Sequence, residues 1–146
     1  MSRASIRFLE LRTEAVLGSI RVLNDLLEVA LAALAVEPSL RHDLALGLAE
    51  LVANVCQHEY AAQTDPRGVT VTLDARDDLR LTVGSHGPPF DLEAALARAR
   101  ERDPLEDLEG SGLGLPLLVG LFDEVRCESP PEGGNRITLV KRRGRG

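Results

Sequence analysis

Apolar and polar positions divide the chain into stretches of two periods. Ser5 to Leu11 alternates loosely, with Ile6, Phe8, Leu9 and Leu11 apolar, and predicts an opening strand followed by a helix from about Thr13 or Glu14. In that helix Val16, Ile20, Leu23, Leu27, Ala30 and Leu34 step by four and three, a one-faced stripe. Such a stripe serves either as a core face lying on a sheet or as a seam for a partner or for a second copy in a homodimer. Glu37-Pro38-Ser39 breaks the chain and predicts a second helix, with Pro38 in its first turn and Ser39 available as a cap. Leu44, Leu48, Leu51, Val52 and Val55 supply its apolar face. Glu50, Asn54 and His58, spaced by four, form a separate polar stripe rotated roughly 120° from it.

Two short alternating runs, Val69 to Asp74 and Leu79 to Val83, predict a hairpin turning at Ala75-Arg76-Asp77-Asp78. Gly84-Ser85-His86-Gly87-Pro88-Pro89 is too rich in Gly and Pro to prolong a strand. The charged segment from Asp91 to Glu109 reads as a flap, helical from Leu92 to Arg102 and stopped at Asp103-Pro104. Gly110-Ser111-Gly112-Leu113-Gly114 then opens a helix through Leu117, Leu118, Leu121 and Phe122, with Pro116 in its first turn. Val125 to Glu128 and Arg136 to Lys141 close the chain as a second hairpin. The predicted class is α+β: a two-layer sandwich with a largely antiparallel mixed sheet and helices packed on one face.

Length sharpens the picture. The 146 residues suffice for one domain with one core and exclude a two-lobed protein kinase or a large barrel. Charge narrows the partners: 17 Lys and Arg against 23 Asp and Glu leave a formal charge of −6, which argues against direct nucleic-acid binding. The dense basic stretch, residues 141–146, reads as a solubilising tail. Lys141 is the sole lysine, so a lysine-bearing phosphate loop is excluded. The expected location is the cytoplasm, with no membrane association: apolar runs fall short of the ~18 residues of a span, and the first residues lack a signal pattern. Cys56 and Cys127 read as reduced thiols.

A glycine loop feeding a helix presents unpaired amides and a positive dipole end to an anion. A carboxylate and an amide oxygen one turn apart, Glu50 and Asn54, suit a hard Mg2+ ion that keeps waters and binds phosphates. Three blocks in order carry a family resemblance: Glu50-Leu-Val-Ala-Asn54-Val-Cys-Gln-His58, Ser85-His86-Gly87-Pro88-Pro89-Phe90-Asp91, and Gly110-Ser111-Gly112-Leu113-Gly114-Leu115 running to Val125. They resemble the N box and the two glycine boxes of the GHKL ATP-binding superfamily, most closely its anti-sigma-factor serine/threonine-protein kinases.

The resemblance implies a histidine-kinase-like ATPase fold over residues 1–146, with an ATP lid at about 91–110. It implies ATP and Mg2+ as cofactors, Asn54 as metal ligand and Glu50 as general base. Ser85 and Gly87 would meet the adenine side, and the amides of Gly110, Gly112, Leu113 and Gly114 the phosphates. Arg98, Arg100 and Arg102 are candidates for a γ-phosphate contact on lid closure. A sigma factor and an anti-sigma antagonist protein are the implied partners. Two positions depart from the pattern: Ser85 stands where the family places a carboxylate, and Pro89 where it places a glycine. They make a partner-switching binding module with weakened or lost ATP binding the alternative reading.

Overall fold

A computed structural model of the chain describes residues 6–59, 68–87, 91, 94, 97 and 114–143. Strand β1 (Phe8–Glu14) leads to helices α1 (Leu17–Ala33) and α2 (Pro38–Asn54), and α2 runs into a short π-helical turn, Val55–Glu59. Strands β2 (Gly68–Asp74) and β3 (Leu79–Ser85), helix α3 (Gly114–Leu121), and strands β4 (Glu124–Glu128) and β5 (Asn135–Lys141) complete the described fold. The five strands form one sheet in the order β1-β2-β3-β5-β4, and each of its four ladders is antiparallel. The α+β expectation of helices on one face of an antiparallel sheet holds. No described helix is long and apolar enough to cross a membrane.

Alternation decides the two faces of the sheet. Leu9, Leu73, Leu81 and Leu139 stand opposite one another across four strands, as do Leu11, Val71, Val83 and Ile137. These rows face the helices, while Glu10, Thr72, Thr82 and Thr138 line the outer face. From the helical side Leu23, Leu27 and Leu31 of α1 and Leu44, Leu48, Leu51 and Val52 of α2 close the core. Each fully buried leucine contributes about 1.5–3 kcal/mol by leaving water. Gly47 lets α2 approach closely: a β-carbon there would lie 2.6 Å from Leu139 Cδ1 and 2.9 Å from Phe122 Cζ.

Several boundaries differ from the sequence expectation. β1 continues through Glu14 because its whole length pairs with β2, so α1 begins at Leu17 and Val16, placed in the stripe by spacing, is exposed. β3 runs on through Gly84 and Ser85, since both pair with β5 at Arg136 and Asn135. Glu37 rather than Ser39 precedes α2, without a side-chain cap. Lys141, counted with the basic tail, is the last residue of β5: its ammonium lies 3.1 Å from Asp43 Oδ2, donates to the Leu121 carbonyl and sits 5.6 Å from the Phe122 ring centroid.

Candidate functional site

The site is assembled by the direction of α2. Asp43 meets Lys141 at the finishing end of β5, and Gly47, one turn on, meets Leu139. α2 therefore runs against β5 and along β3. From Gly47 to Asn54 the helix rises about 10 Å, against roughly 13 Å from Leu139 back to Asn135. Asn54 thus arrives at the end of the sheet where β3 finishes at Ser85 and β5 starts at Asn135. Glu50 lies one turn before it, and both side chains are half-buried. The helix winding changes at Val55, so the four-residue spacing that aligned His58 with this pair stops at Asn54. Wide π turns of this kind are frequent at functional sites.

α3 ends at the Lys141 corner. Its last residue, Leu121, accepts from Lys141, and Phe122 packs at Gly47. Gly114 begins the helix about 10 Å from that corner. No acidic side chain stands in its described first turn. Gly110, Gly112 and Leu113 lie outside the described residues, as do Pro89 and the lid apart from isolated positions. At Asp91 a side-chain oxygen accepts from the Ala94 amide at 3.0 Å, a helix-capping contact where the flap helix was expected to start.

Ser85 is buried on the helix-facing side of β3, directly opposite Asn135, and Gly87 is buried two residues on. The turn before β5 closes over this point, since a β-carbon on Gly134 (φ +84°) would stand 2.0 Å from the Ser85 carbonyl oxygen. Asn135 is a buried amide that sequence reasoning missed, because it was read as the approach to a closing hairpin. Its signal was a polar residue following two glycines at the head of an apolar strand. Burial pushes the Cys56 thiol up, against a smaller lowering by a backbone hydrogen bond, so this cysteine beside Asn54 is held as the neutral thiol at neutral pH.

An open depression of about 470 Å3 lies elsewhere, on the outer face of the sheet between Arg12, Thr72 and Arg136, with Ser85 and His86 at its rim. Neither Glu50 nor Asn54 lines it. Of the described site residues, Glu50, Asn54 and the Ser85 side chain therefore lie on the helical side of the sheet, opposite this depression. Among the described residues no cluster of three or more His, Cys, Asp or Glu could hold a metal by itself. The Asn54 amide oxygen with Glu50 nearby fits a Mg2+ ion whose remaining ligands are phosphate oxygens and water, and does not fit a protein-caged metal.

The described fold is thus an antiparallel sheet with helices on one face, with Glu50 and Asn54 near the end of α2 and Ser85 at the end of β3. A family model for the histidine kinase-like ATPase domain matches residues 13–141, and the chain belongs to that family. It is similar to the serine-protein kinase RsbW of Bacillus licheniformis, 28% identical over 103 residues that make up 68% of this chain and 63% of that relative. Among solved structures it is similar to the RsbU and RsbW domains of Rv1364c from Mycobacterium tuberculosis, with a TM-score of 0.65 and 22% identity over 96% of this chain and 33% of that one. It is also similar to the SiaB-SiaC complex from Pseudomonas aeruginosa, with a TM-score of 0.69 and 16% identity over 92% of this chain and 89% of that one. These two likenesses concern the fold.

Proposed function

We propose that the chain is an anti-sigma-factor-like serine/threonine-protein kinase, binding ATP-Mg at the Ser85 end of the sandwich. It would phosphorylate an anti-sigma antagonist protein and sequester a sigma factor in the competing complex. The observation that carries this reading is the placement of Glu50 and Asn54 at the end of α2 that reaches the Ser85 end of the sheet, on a chain similar to a serine-protein kinase. Bound Mg2+ would neutralise phosphate charge and be held by the Asn54 oxygen. Glu50 would take the proton of the attacking serine or threonine hydroxyl as its oxygen bonds to the γ-phosphorus and the bond to the ADP oxygen breaks. The amides of Gly110, Gly112, Leu113 and Gly114 would orient the phosphates. Ser85, with Gly87 beside it, would face the adenine amino group.

Calorimetric titration with Mg-ATP tests the nucleotide reading, with saturable heat expected below millimolar nucleotide. The Glu50→Ala variant should keep that heat and lose phosphoryl transfer. A buried hydroxyl at Ser85 in place of a carboxylate favours the second reading, a partner-switching binding module with little or no ATP affinity. Exchanging a charge-assisted for a neutral hydrogen bond forfeits roughly 1 kcal/mol or more, about tenfold in affinity. Ser85→Asp is therefore expected to tighten ATP about tenfold. No heat from either protein would leave the binding module as the function.

A further inference from the structure

Gly84 is a glycine that the fold does not require. It sits inside the central strand β3, paired without a break to Thr70 on one side and Arg136 on the other, and its φ is not positive. A β-carbon there would find its nearest neighbour, the Thr70 carbonyl oxygen, at 3.8 Å, an ordinary contact. Neither a bulge, nor a left-handed backbone, nor crowding by the described residues accounts for a glycine at a place where it weakens the strand. Strands otherwise keep such a glycine where something from outside, a ligand above all, must approach the backbone closely.

The residues around Gly84 indicate the ligand's chemistry. On the outer face of the sheet it stands in one row with Arg12, Thr70 and Arg136. Strands about 4.8 Å apart put the two arginine Cα atoms roughly 14 Å from each other. Each side chain spans nearly half of that, so both guanidiniums can reach one group held above Gly84. Thr70, Thr72 and Thr82 bring hydroxyls to the floor of the same hollow of about 470 Å3, a size usual for small-molecule sites. Guanidiniums arriving from opposite sides suit a phosphate, whose three terminal oxygens can serve both forks, better than a carboxylate with two. Glu10 and Glu132 also border the hollow, and Glu10 holds Arg12 at 3.2 Å. That pair is exposed and therefore weak, and the contact of Arg136 with Glu128 is loose at 4.0 Å, so an anion can draw both arginines in.

We propose that the hollow over Gly84 is a binding site for a small phosphate monoester, whose phosphate is clasped between Arg12 and Arg136 and accepts from the threonine hydroxyls beneath it. Neither Glu50 nor Asn54 lines this hollow, so the site is separate from the one argued for the nucleotide and does not rest on the kinase reading. Its specificity lies in the row Arg12-Thr70-Gly84-Arg136: charge at the two ends, and no side chain at the third position to fill the space between them.

Titration of the full chain with phenyl phosphate, followed by two-dimensional amide spectra without nucleotide, tests this. Saturable shifts are expected at Thr70, Thr82 and Gly84, with a dissociation constant of about 1 mM or tighter, and benzoate should bind at least about tenfold more weakly. Arg12→Gln and Arg136→Gln should each weaken phenyl phosphate at least about tenfold, while Glu10→Gln, which releases Arg12, should tighten it. These side chains are exposed, and unchanged circular dichroism checks that the variants fold. Gly84→Val should fill the hollow and abolish binding without lowering the melting temperature, since valine suits a strand. Absence of saturation overturns the proposal, as do shifts confined to α2 and α3, which would send the phosphate to the other side of the sheet. Benzoate binding as tightly as phenyl phosphate, or affinity indifferent to both arginine variants, overturns it as well.

Discussion

Lys141 and Asp43 hold the two ends of a lever: the ammonium on the last residue of β5 lies 3.1 Å from a carboxylate oxygen in the first half of α2. The pair marks which way α2 crosses the sheet, and so which end of the sandwich receives Glu50 and Asn54.

Both side chains are about four-fifths shielded, with 18% and 21% exposure, and the ammonium also caps the carboxyl end of α3 at Leu121. Lys141→Met is expected to destabilise the fold by about 2 kcal/mol, below the roughly 3–5 kcal/mol for breaking a fully buried pair because some solvent reaches this one. Urea unfolding measures this. In a double-mutant cycle with Asp43→Asn, a coupling of less than about 0.5 kcal/mol would count against the pair as an anchor.

Gly133 and Gly134 both have positive φ, but they differ in what surrounds them. A β-carbon at Gly133 meets nothing within 4 Å, whereas one at Gly134 collides with the Ser85 backbone. Gly133→Ala should cost only the left-handed backbone penalty, about 1–2 kcal/mol. Gly134→Ala should cost more than that by at least about 1 kcal/mol, because backbone must move, and it should disturb the amide resonances of Ser85 and His86. Thermal unfolding and a two-dimensional amide spectrum of the two variants make the comparison. Equal losses would contradict the close approach.

Ala35 ends α1 at φ +56°, with the Val36 amide bonded to the Leu31 carbonyl and the Ala35 amide to that of Ala32. This is a helix stop normally built on glycine, and buried Val36 is its apolar clasp. Ala35→Gly removes the steric cost of a left-handed alanine and is expected to raise stability by about 0.5–1 kcal/mol, read as a higher urea midpoint. A lower midpoint would show that the greater freedom of glycine in the unfolded chain outweighs it.

Asp74 is the one described carboxyl pulled far down, to about 2, chiefly by its hydrogen bonds from the Arg76 guanidinium. A depressed carboxyl pKa contributes stability that is complete above the unfolded value near 4 and is lost as pH falls through about 2. The stability difference between the chain and its Arg76→Ala variant should be constant from pH 5 to neutrality and vanish toward pH 2, in urea titrations at several pH values. A difference that grew on acidification would contradict the assignment. Because Arg76 is mostly exposed, the effect is small and salt-sensitive.

Much of the architecture was legible in local pattern. The four-and-three spacing of Leu44, Leu48 and Leu51 and the alternation of Val69, Val71 and Leu73 each require one buried face, and those faces are buried. Glu50 and Asn54 share a helix face by spacing alone, and the order of the three motif blocks carried the family. The sequence also bounded the chemistry: with a single lysine, at position 141, a lysine-bearing phosphate loop is excluded.

Tertiary pairing decided the rest, because it supplies energies that local propensity lacks. Gly84 and Ser85 are poor strand residues, yet ladder bonds to Arg136 and Asn135 keep them in β3. Val16 fits the helical spacing and is nonetheless outside, because β1 holds the chain extended through Glu14. Lys141 looked like part of a charged tail until its contact with Asp43 made it an anchor. Which strand lies at the edge depends on the order β1-β2-β3-β5-β4. That order is set by contacts between residues far apart in sequence, and periodicity within a single segment carries no information about them.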